Sequence, residues 1–134
     1  MRLHLDVTDG LNMVQTITTE QIVINHRVYT SSLIVTPHTT IANWKPRRLT
    51  DLSEDDFLPL VELKPDVVLL GTGKQLRFPE PHITKPLIAH AMGIEIMDTP
   101  AACRTFNILA SEGRKVAAAL LFEASGGVSR NEDG

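Results

Sequence analysis

The sequence has little cysteine and a deficit of positive charge, and each shortage excludes a class of protein. Cys103 is the one cysteine in 134 residues, so an intramolecular disulfide is excluded and a reducing compartment is favoured. Lysine and arginine number 13 against 16 acidic residues, which gives a formal net charge of -3. Because nucleic acids and anionic membranes are bound mainly through clustered cationic side chains, we expect neither as a partner. The local basic group of Lys45, Arg47 and Arg48 is too small to change this expectation.

Long apolar runs and aromatic residues are also scarce. The longest apolar stretch, residues 116–122, is far shorter than the ~20 residues of a transmembrane helix, so no transmembrane segment is predicted. Asp6 and Asp9 lie where a signal peptide would carry its apolar run, which argues against secretion. One Trp, one Tyr and four Phe leave the core to aliphatic side chains and offer no platform for base stacking. We therefore expect a cytoplasmic protein.

The length and a hydrophobic content of 43% are those of one domain that can bury a core without disulfides. We assign the domain to residues 1–124. Residues 125–134, rich in Gly, Ser and charged side chains, have the composition of a disordered tail.

Three near-continuous apolar runs in the second half of the chain predict buried strands. They cover residues 66–70, 94–97 and 115–122, and such runs are typical of strands that are covered on both faces. Helical patterns separate them. Strands that are connected through a helix usually run parallel, joined by a right-handed crossover. We therefore expect these three strands to be parallel.

Helix boundaries are marked by capping residues, prolines and glycines. Ser53 and Asp56 form a capping box that opens a helix ending before Pro65. Thr84 and Thr99 are expected to be the N-caps of the next two helices, each with a proline in the first turn. The glycine at position 93 is expected to end the first of these two helices.

The first half of the chain has the pattern of antiparallel strands. Three runs, Ile22–Ile24, Val28–Tyr29 and Leu33–Val35, are rich in β-branched and aliphatic residues, and Asn25-His26 has the composition of a tight turn. Weak alternation over residues 3–7 suggests a short edge strand. The predicted fold class is α/β: a three-layer single domain with a central mixed, mostly parallel sheet, helices on its faces and an N-terminal antiparallel β-meander.

This fold predicts a polar crevice at one edge of the sheet. If the strands at 66–70 and 94–97 are parallel neighbours, the turns that follow them lie together, where open α/β sheets bind ligands. The lysine in the first turn and the N-terminus of the helix beginning near Pro100 suit a small anion. The candidate ligand-binding residues are Gly71, Thr72, Gly73, Lys74, Asp98, Thr99, Arg104 and Asn107. The alternative is that Thr72, Asp98 and Thr99 serve only as structural caps, which every helix end requires.

No complete catalytic, nucleotide or metal motif is present. A Walker A loop would need Gly at position 68, where Val68 stands, and Ser or Thr at position 75, where Gln75 stands. A dinucleotide fingerprint beginning at Gly71 would need Gly in place of Leu76. The five histidines lack metal-ligand spacing, and Cys103 shares an apolar helical stripe that should face the core. We therefore leave the catalytic residues and enzyme activity open, and predict no cofactor or metal.

The segments PDVVLLGTG, RFP and GIEIMDTPAACRTFNILASEGRKVAAALLF together resemble a known family. It comprises small single-domain proteins of unknown function, related to a mitochondrial assembly factor for respiratory complex I and to the adipogenesis-associated Mth938-like domain protein. The resemblance covers residues 1–123 and implies a three-layer fold with a central mixed sheet. No activity is established for most bacterial members, so the resemblance implies a fold more than a mechanism.

The resemblance implies a protein-binding or assembly-factor-like module with a protein partner. Trp44, Phe78 and the loop at 77–82 are the expected anchors, because aromatic residues on irregular loops are favoured at interfaces. The alternative is a protein or enzyme that binds a small anionic metabolite in the crevice. The sequence begins almost at the domain itself, without the expected mitochondrial extension, which favours a bacterial, cytoplasmic protein.

Overall fold

The structure of the protein is a computed structural model that describes residues 10–125 and the backbone of residues 4–7. The strands are β1 (His4–Val7), β2 (Val14–Ile17), β3 (Ile22–Ile24), β4 (Arg27–Tyr29), β5 (Ser31–Val35), β6 (Thr39–Ala42), β7 (Val67–Gly71), β8 (Gly93–Met97) and β9 (Val116–Glu123). The α-helices are α1 (Leu58–Leu63), α2 (Lys85–Ala89) and α3 (Thr99–Ser111). Short 3-10 helices cover Leu49–Asp51, Glu54–Phe57 and Pro81–Thr84.

The strands form one large mixed sheet and one small antiparallel sheet. The large sheet has six strands in the order β1-β6-β5-β9-β7-β8, and the small sheet has the order β2-β3-β4. β7 pairs in parallel with β8 and with β9, whereas β9 pairs antiparallel with β5. The predicted α/β fold class and the parallel pairing of the strands near 66–70 and 94–97 are therefore confirmed. The parallel part is smaller than expected, because β5 and β6 are joined by a short turn, which permits only antiparallel pairing.

The large sheet lies between two other layers. On one face, α3 and the small sheet cover Leu69, Ala118 and Leu120. On the other face, the 3-10 helices, α1 and α2 cover Leu70 and Leu121. Alternate residues of a strand point to opposite faces, so the apolar run of β9 is buried on both sides. The same holds for most of β7, whereas β8 is an outer strand whose residues are half-buried or exposed, so its prediction as a strand covered on both faces was wrong.

The N-terminal meander is present, but its third strand differs from the prediction. Asn25 and His26 both have positive φ, 48° and 70°, as a two-residue hairpin turn requires, so the predicted turn is confirmed. The run Leu33–Val35 belongs instead to the large sheet, where it pairs with β9. The third strand of the small sheet is β2, which pairs with β3. The prediction was wrong here because pairing with β9 buries both faces of that run, which the small sheet cannot do.

Helix ends are partly as predicted. The Asp56 carboxylate accepts hydrogen bonds from the Ser53 backbone N–H at 2.9 Å and from its hydroxyl at 3.2 Å, as in a capping box. Thr84 does not cap α2: its hydroxyl donates to the Pro81 carbonyl oxygen at 3.2 Å, because the helix is entered through a 3-10 turn. Gly93 does not end α2 either, since Ala91 takes the positive φ of 59°.

The two ends of the chain are only partly described. The predicted tail at 125–134 lies outside the described residues except for Ser125, whose backbone N–H donates to the Thr19 carbonyl oxygen at 2.9 Å. The edge strand predicted over residues 3–7 corresponds to β1, the outer strand of the large sheet. Within the described part of the chain, no helix is long and apolar enough to cross a bilayer.

Candidate functional site

Thr99 joins the turn after β7 to α3 and β9. Its hydroxyl accepts a hydrogen bond from the Gly73 N–H at 2.8 Å and donates one to the Leu121 carbonyl oxygen at 2.8 Å. Its backbone N–H donates to the Gly73 carbonyl oxygen, also at 2.8 Å. The residue is 1% exposed. Thr99 therefore fixes the position of the turn and is not itself a surface contact.

Glycine is needed twice in this turn, for two different reasons. A Cβ on Gly71 would lie 2.9 Å from the Thr99 Cα and 3.2 Å from the Ala102 Cβ, so the strand and α3 approach too closely for a side chain. Gly73 has a φ of 103°, which L-residues rarely adopt. The backbone geometry of the turn therefore requires glycine at both positions.

Thr72 folds the loop after β7 back on itself. Its hydroxyl donates to the Gln75 carbonyl oxygen at 2.6 Å and accepts from the Arg77 backbone N–H at 3.2 Å. The residue is 6% exposed. The loop that carries Lys74 and Arg77 is thus ordered by its own hydrogen bonds.

Asp98, and not Thr99, is the N-cap of α3. The Asp98 carboxylate accepts from the Ala101 N–H at 2.8 Å, and Thr99 is the first helical residue. The prediction for Thr99 was wrong because its hydroxyl is committed to Gly73 and Leu121.

Arg104 and Asn107 do not line the crevice. The Asn107 side chain accepts from the Val14 N–H at 2.8 Å and donates to the Val14 carbonyl oxygen at 2.9 Å, and so holds β2 against α3. Arg104 is exposed on α3. Burial raises the pKa of the neighbouring Cys103 thiol to about 12, an effect that the Arg104 charge only partly offsets. The thiol is therefore protonated at neutral pH and unsuited to nucleophilic catalysis.

An open cleft of about 770 Å³ lies beside the turn after β7. It includes three of the predicted residues, Thr72, Gly73 and Lys74, but lies toward β9 and not toward β8. Within residues 10–125, four cationic side chains line it against a single carboxylate. These charged lining residues are Arg47, Arg48, Lys74, Arg77 and Glu123. The cleft is thus positive although the whole chain is negative.

Sequence reasoning missed three of the four cations. Arg47 and Arg48 come from the segment after β6, and Arg77 comes from the segment after β7. The basic group at 45–48 was the one sequence signal for Arg47 and Arg48. It did not point to Lys74, because their nearness depends on the strand order β6-β5-β9-β7. Within residues 10–125, no group of three His, Cys, Asp or Glu side chains could hold a metal ion.

The two expected aromatic anchors have different environments. Trp44 is 3% exposed, and its indole N–H donates to the Asp56 carbonyl oxygen at 2.8 Å. Its ring packs edge-on against Phe57 with centroids 6.0 Å apart, so its prediction as an exposed anchor was wrong. Phe78 is 68% exposed, and Leu76 on the same loop is 52% exposed.

These features define an α/β domain of the mixed-sheet, three-layer class with an open cleft at the ends of its central strands. Residues 14–121 match the family described as protein of unknown function (DUF498/DUF598), and the chain belongs to this family. The resemblance expected from the sequence is confirmed.

Several named proteins are similar to this chain. One is NADH dehydrogenase (ubiquinone) 1 alpha subcomplex assembly factor 3 of Bos taurus, 33% identical over 84 residues that cover 61% of this chain and 46% of that protein. This chain thus spans about half the length of the curated relatives it matches.

Two solved structures share the fold. A crystal structure of a Bordetella parapertussis protein has 35% identity and a TM-score of 0.79, covering 85% of this chain and 98% of that one. A solution structure of a Mth938-like domain from Bordetella pertussis has 27% identity and a TM-score of 0.78, covering 98% and 100%.

Proposed function

We propose that this protein is a protein-binding module that assists the assembly of a larger complex. The family relationship supports this proposal, since the relatives that carry a functional name are called assembly factors. The observation that carries it is the loop after β7, which exposes Leu76 and Phe78 while Thr72 and Thr99 hold its backbone. A partner meets a preformed loop and need not order it, which lowers the entropic cost of binding.

The loop also indicates the chemistry of the partner. Phe78 and Leu76 flank Arg77, whose guanidinium donates only to the Gln75 side-chain oxygen among the described residues. A buried aromatic anchor beside an arginine is the common composition of an interface hot spot. The partner we propose therefore presents an apolar pocket next to acidic side chains.

Affinity purification with crosslinking from the native cell tests this function. The wild-type chain is compared with the double variant Leu76→Ser, Phe78→Ser and with Ile88→Ser, which alters an equally exposed apolar residue on α2. The proposal predicts a partner that the wild type and Ile88→Ser recover and that the loop variant loses. Equal recovery by all three chains, or no partner above background, contradicts it.

The second candidate is the binding of a small anion at the sheet edge predicted from the sequence. The observation that favours it is the cationic lining of the cleft, which includes Thr72, Gly73 and Lys74. Gly71, Asp98 and Thr99 would then support the site from behind it, whereas Arg104 and Asn107 would take no part. A ligand at about 100 times its dissociation constant adds about 2.7 kcal/mol of stability, so a thermal-shift panel of anions is the direct test. A panel in which no anion raises the unfolding midpoint rejects this candidate.

The proposed setting is the bacterial cytoplasm, which the single free cysteine supports. Cell fractionation with an antibody to the native protein tests this part, and recovery in the membrane pellet after a salt wash contradicts it.

A further inference from the structure

The cationic cleft is built by residues whose backbone is fixed. The Asp51 carboxylate accepts hydrogen bonds from the backbone N–H groups of Arg47 and Arg48, each at 3.2 Å. The Thr72 hydroxyl accepts from the Arg77 N–H. Two separate loops are therefore ordered by side-chain hydrogen bonds at the points where they carry cations to one cleft. Such hydrogen bonds would not be needed if the cations had come together by chance on mobile surface loops.

Most of the positive charge in the cleft has no counter-charge in the part of the chain that the structure describes. Glu123 is the one carboxylate that this part contributes to the lining, and it pairs with the Arg48 Nε at 3.3 Å. Among the described residues, Arg47 and Lys74 have no carboxylate partner within ion-pair distance. Like charges brought together repel one another, so the surplus is best matched by a ligand with at least two negative charges.

The lining also includes apolar surface. Leu49 and Ala124 line the same cleft and are both partly exposed. A volume of about 770 Å³ lies within the range of small-molecule sites and is much larger than an inorganic phosphate ion needs. The cleft is thus suited to a ligand with a charged group and an organic body.

We propose that the cleft binds a small organic phosphate, with Arg47, Lys74 and Arg77 on the phosphoryl group and the organic body against Leu49. The inference rests on the second proposed function, because it names the ligand class of the same cleft. A phosphomonoester carries nearly two negative charges at neutral pH, and the planar arginine fork matches two phosphate oxygens at once. Recognition is by side chains from two loops, which agrees with the lack of a Walker A or dinucleotide motif in the sequence.

Isothermal titration calorimetry of the full chain tests this inference. The probes are adenosine monophosphate, ribose 5-phosphate and citrate, each at the same ionic strength. Arg47→Gln and Arg77→Gln each remove one exposed cation without touching the core. Lys85→Gln removes an exposed cation on α2 and is the matched control. We expect at least one phosphate ester to bind, and each arginine variant to bind it about tenfold or more weakly, with Lys85→Gln unchanged.

The other outcomes separate the ligand class from the site. If citrate binds as tightly as the phosphate esters and the arginine variants weaken it equally, the phosphate assignment is wrong and the anion site stands. If no probe binds, or if Lys85→Gln weakens binding as much as Arg77→Gln, both the assignment and the anion site are wrong. Binding to phosphatidylglycerol vesicles but to none of the soluble probes also overturns the proposal, because the cations would then contact a lipid surface.

Discussion

The Thr99 hydroxyl bridges the Gly73 N–H and the Leu121 carbonyl oxygen, each at 2.8 Å. One side chain at the start of α3 thereby connects the turn after β7 with the neighbouring strand β9. Since Gly73 and Leu121 both line the cationic cleft, this buried contact determines the shape of the cleft wall. The shape of the cleft therefore depends on a buried residue that is not part of its lining.

Replacement of Thr99 by valine should destabilise the domain strongly. Thr99→Val keeps the shape but leaves the Gly73 N–H and the Leu121 carbonyl oxygen without their partner, at a cost of roughly 2 to 4 kcal/mol. Thr99→Ser keeps the hydroxyl and should cost less. Thr105→Val is the control, because the half-buried Thr105 hydroxyl on the same helix makes no hydrogen bond among the described residues. Urea unfolding measures the difference, and equal midpoints for the two valine variants would show that the bridge contributes nothing.

Replacement of Gly71 by alanine should destabilise the domain through a steric clash. The added Cβ would lie 2.9 Å from the Thr99 Cα, a backbone atom that cannot move without shifting α3, at a cost of about 1 to 3 kcal/mol. Gly10→Ala is the control, since a Cβ there has no neighbour within 4 Å. Thermal unfolding of both variants provides the measurement. An unchanged midpoint for Gly71→Ala would contradict the close approach of β7 and α3.

Replacement of Asn107 by leucine should release β2 from α3. The side chain of Asn107 bonds to both the N–H and the carbonyl oxygen of Val14, so Asn107→Leu removes both bonds at a cost of roughly 2 kcal/mol. Amide hydrogen exchange at Val14 should become faster. Ile108→Ala, at the exposed neighbouring position, should leave that rate unchanged. Similar exchange rates for the Leu variant and the wild type would mean that Asn107 does not hold the strand.

The Cys103 thiol should make stability fall at alkaline pH. Its pKa is about 12 in the folded state against 9.0 for the free thiol, so the native state binds more protons than the unfolded state between these values. The contribution is complete below pH 9 and is lost as the pH rises toward 12, at up to about 1.4 kcal/mol per pH unit. Comparison with Cys103→Ala isolates the effect, because all other groups that titrate at alkaline pH are the same in the wild type and the variant. In urea unfolding from pH 8 to pH 10.5, the wild type should lose stability relative to Cys103→Ala once the pH rises above 9, and parallel pH profiles would disprove the shift.

The parallel half of the fold was readable from sequence because its signals are local. Each signal lies within a few residues of the element that it indicates. These signals are the apolar run of β7, the glycines at its end and Asp98-Thr99-Pro100 at the start of α3. The sequence could not show that Asp98 caps α3 in place of Thr99. The Thr99 hydroxyl is instead bonded to the carbonyl oxygen of Leu121, which is distant in the chain.

The cleft itself was the least predictable feature. The sequence indicated Thr72, Gly73 and Lys74 because they follow the carboxyl end of a strand, which is where open α/β sheets bind ligands. Arg47 and Arg77 lie thirty positions apart and meet only through the order of the strands between them. The burial of Trp44 was missed because its partners Asp56 and Phe57 lie beyond a segment without a regular sequence period, 12 residues further along in the case of Asp56.

The position of β9 in the sheet has a consequence for how the protein is made. β9 is the last strand of the described residues, yet it lies between β5 of the antiparallel half and β7 of the parallel half, which do not pair with each other. During synthesis, strand pairing therefore cannot join the two halves of the large sheet until β9 has left the ribosome. Arg47 and Lys74 belong to different halves, and Leu121 and Glu123 of β9 lie between them in the lining, so the cationic cleft is complete only when β9 is in place.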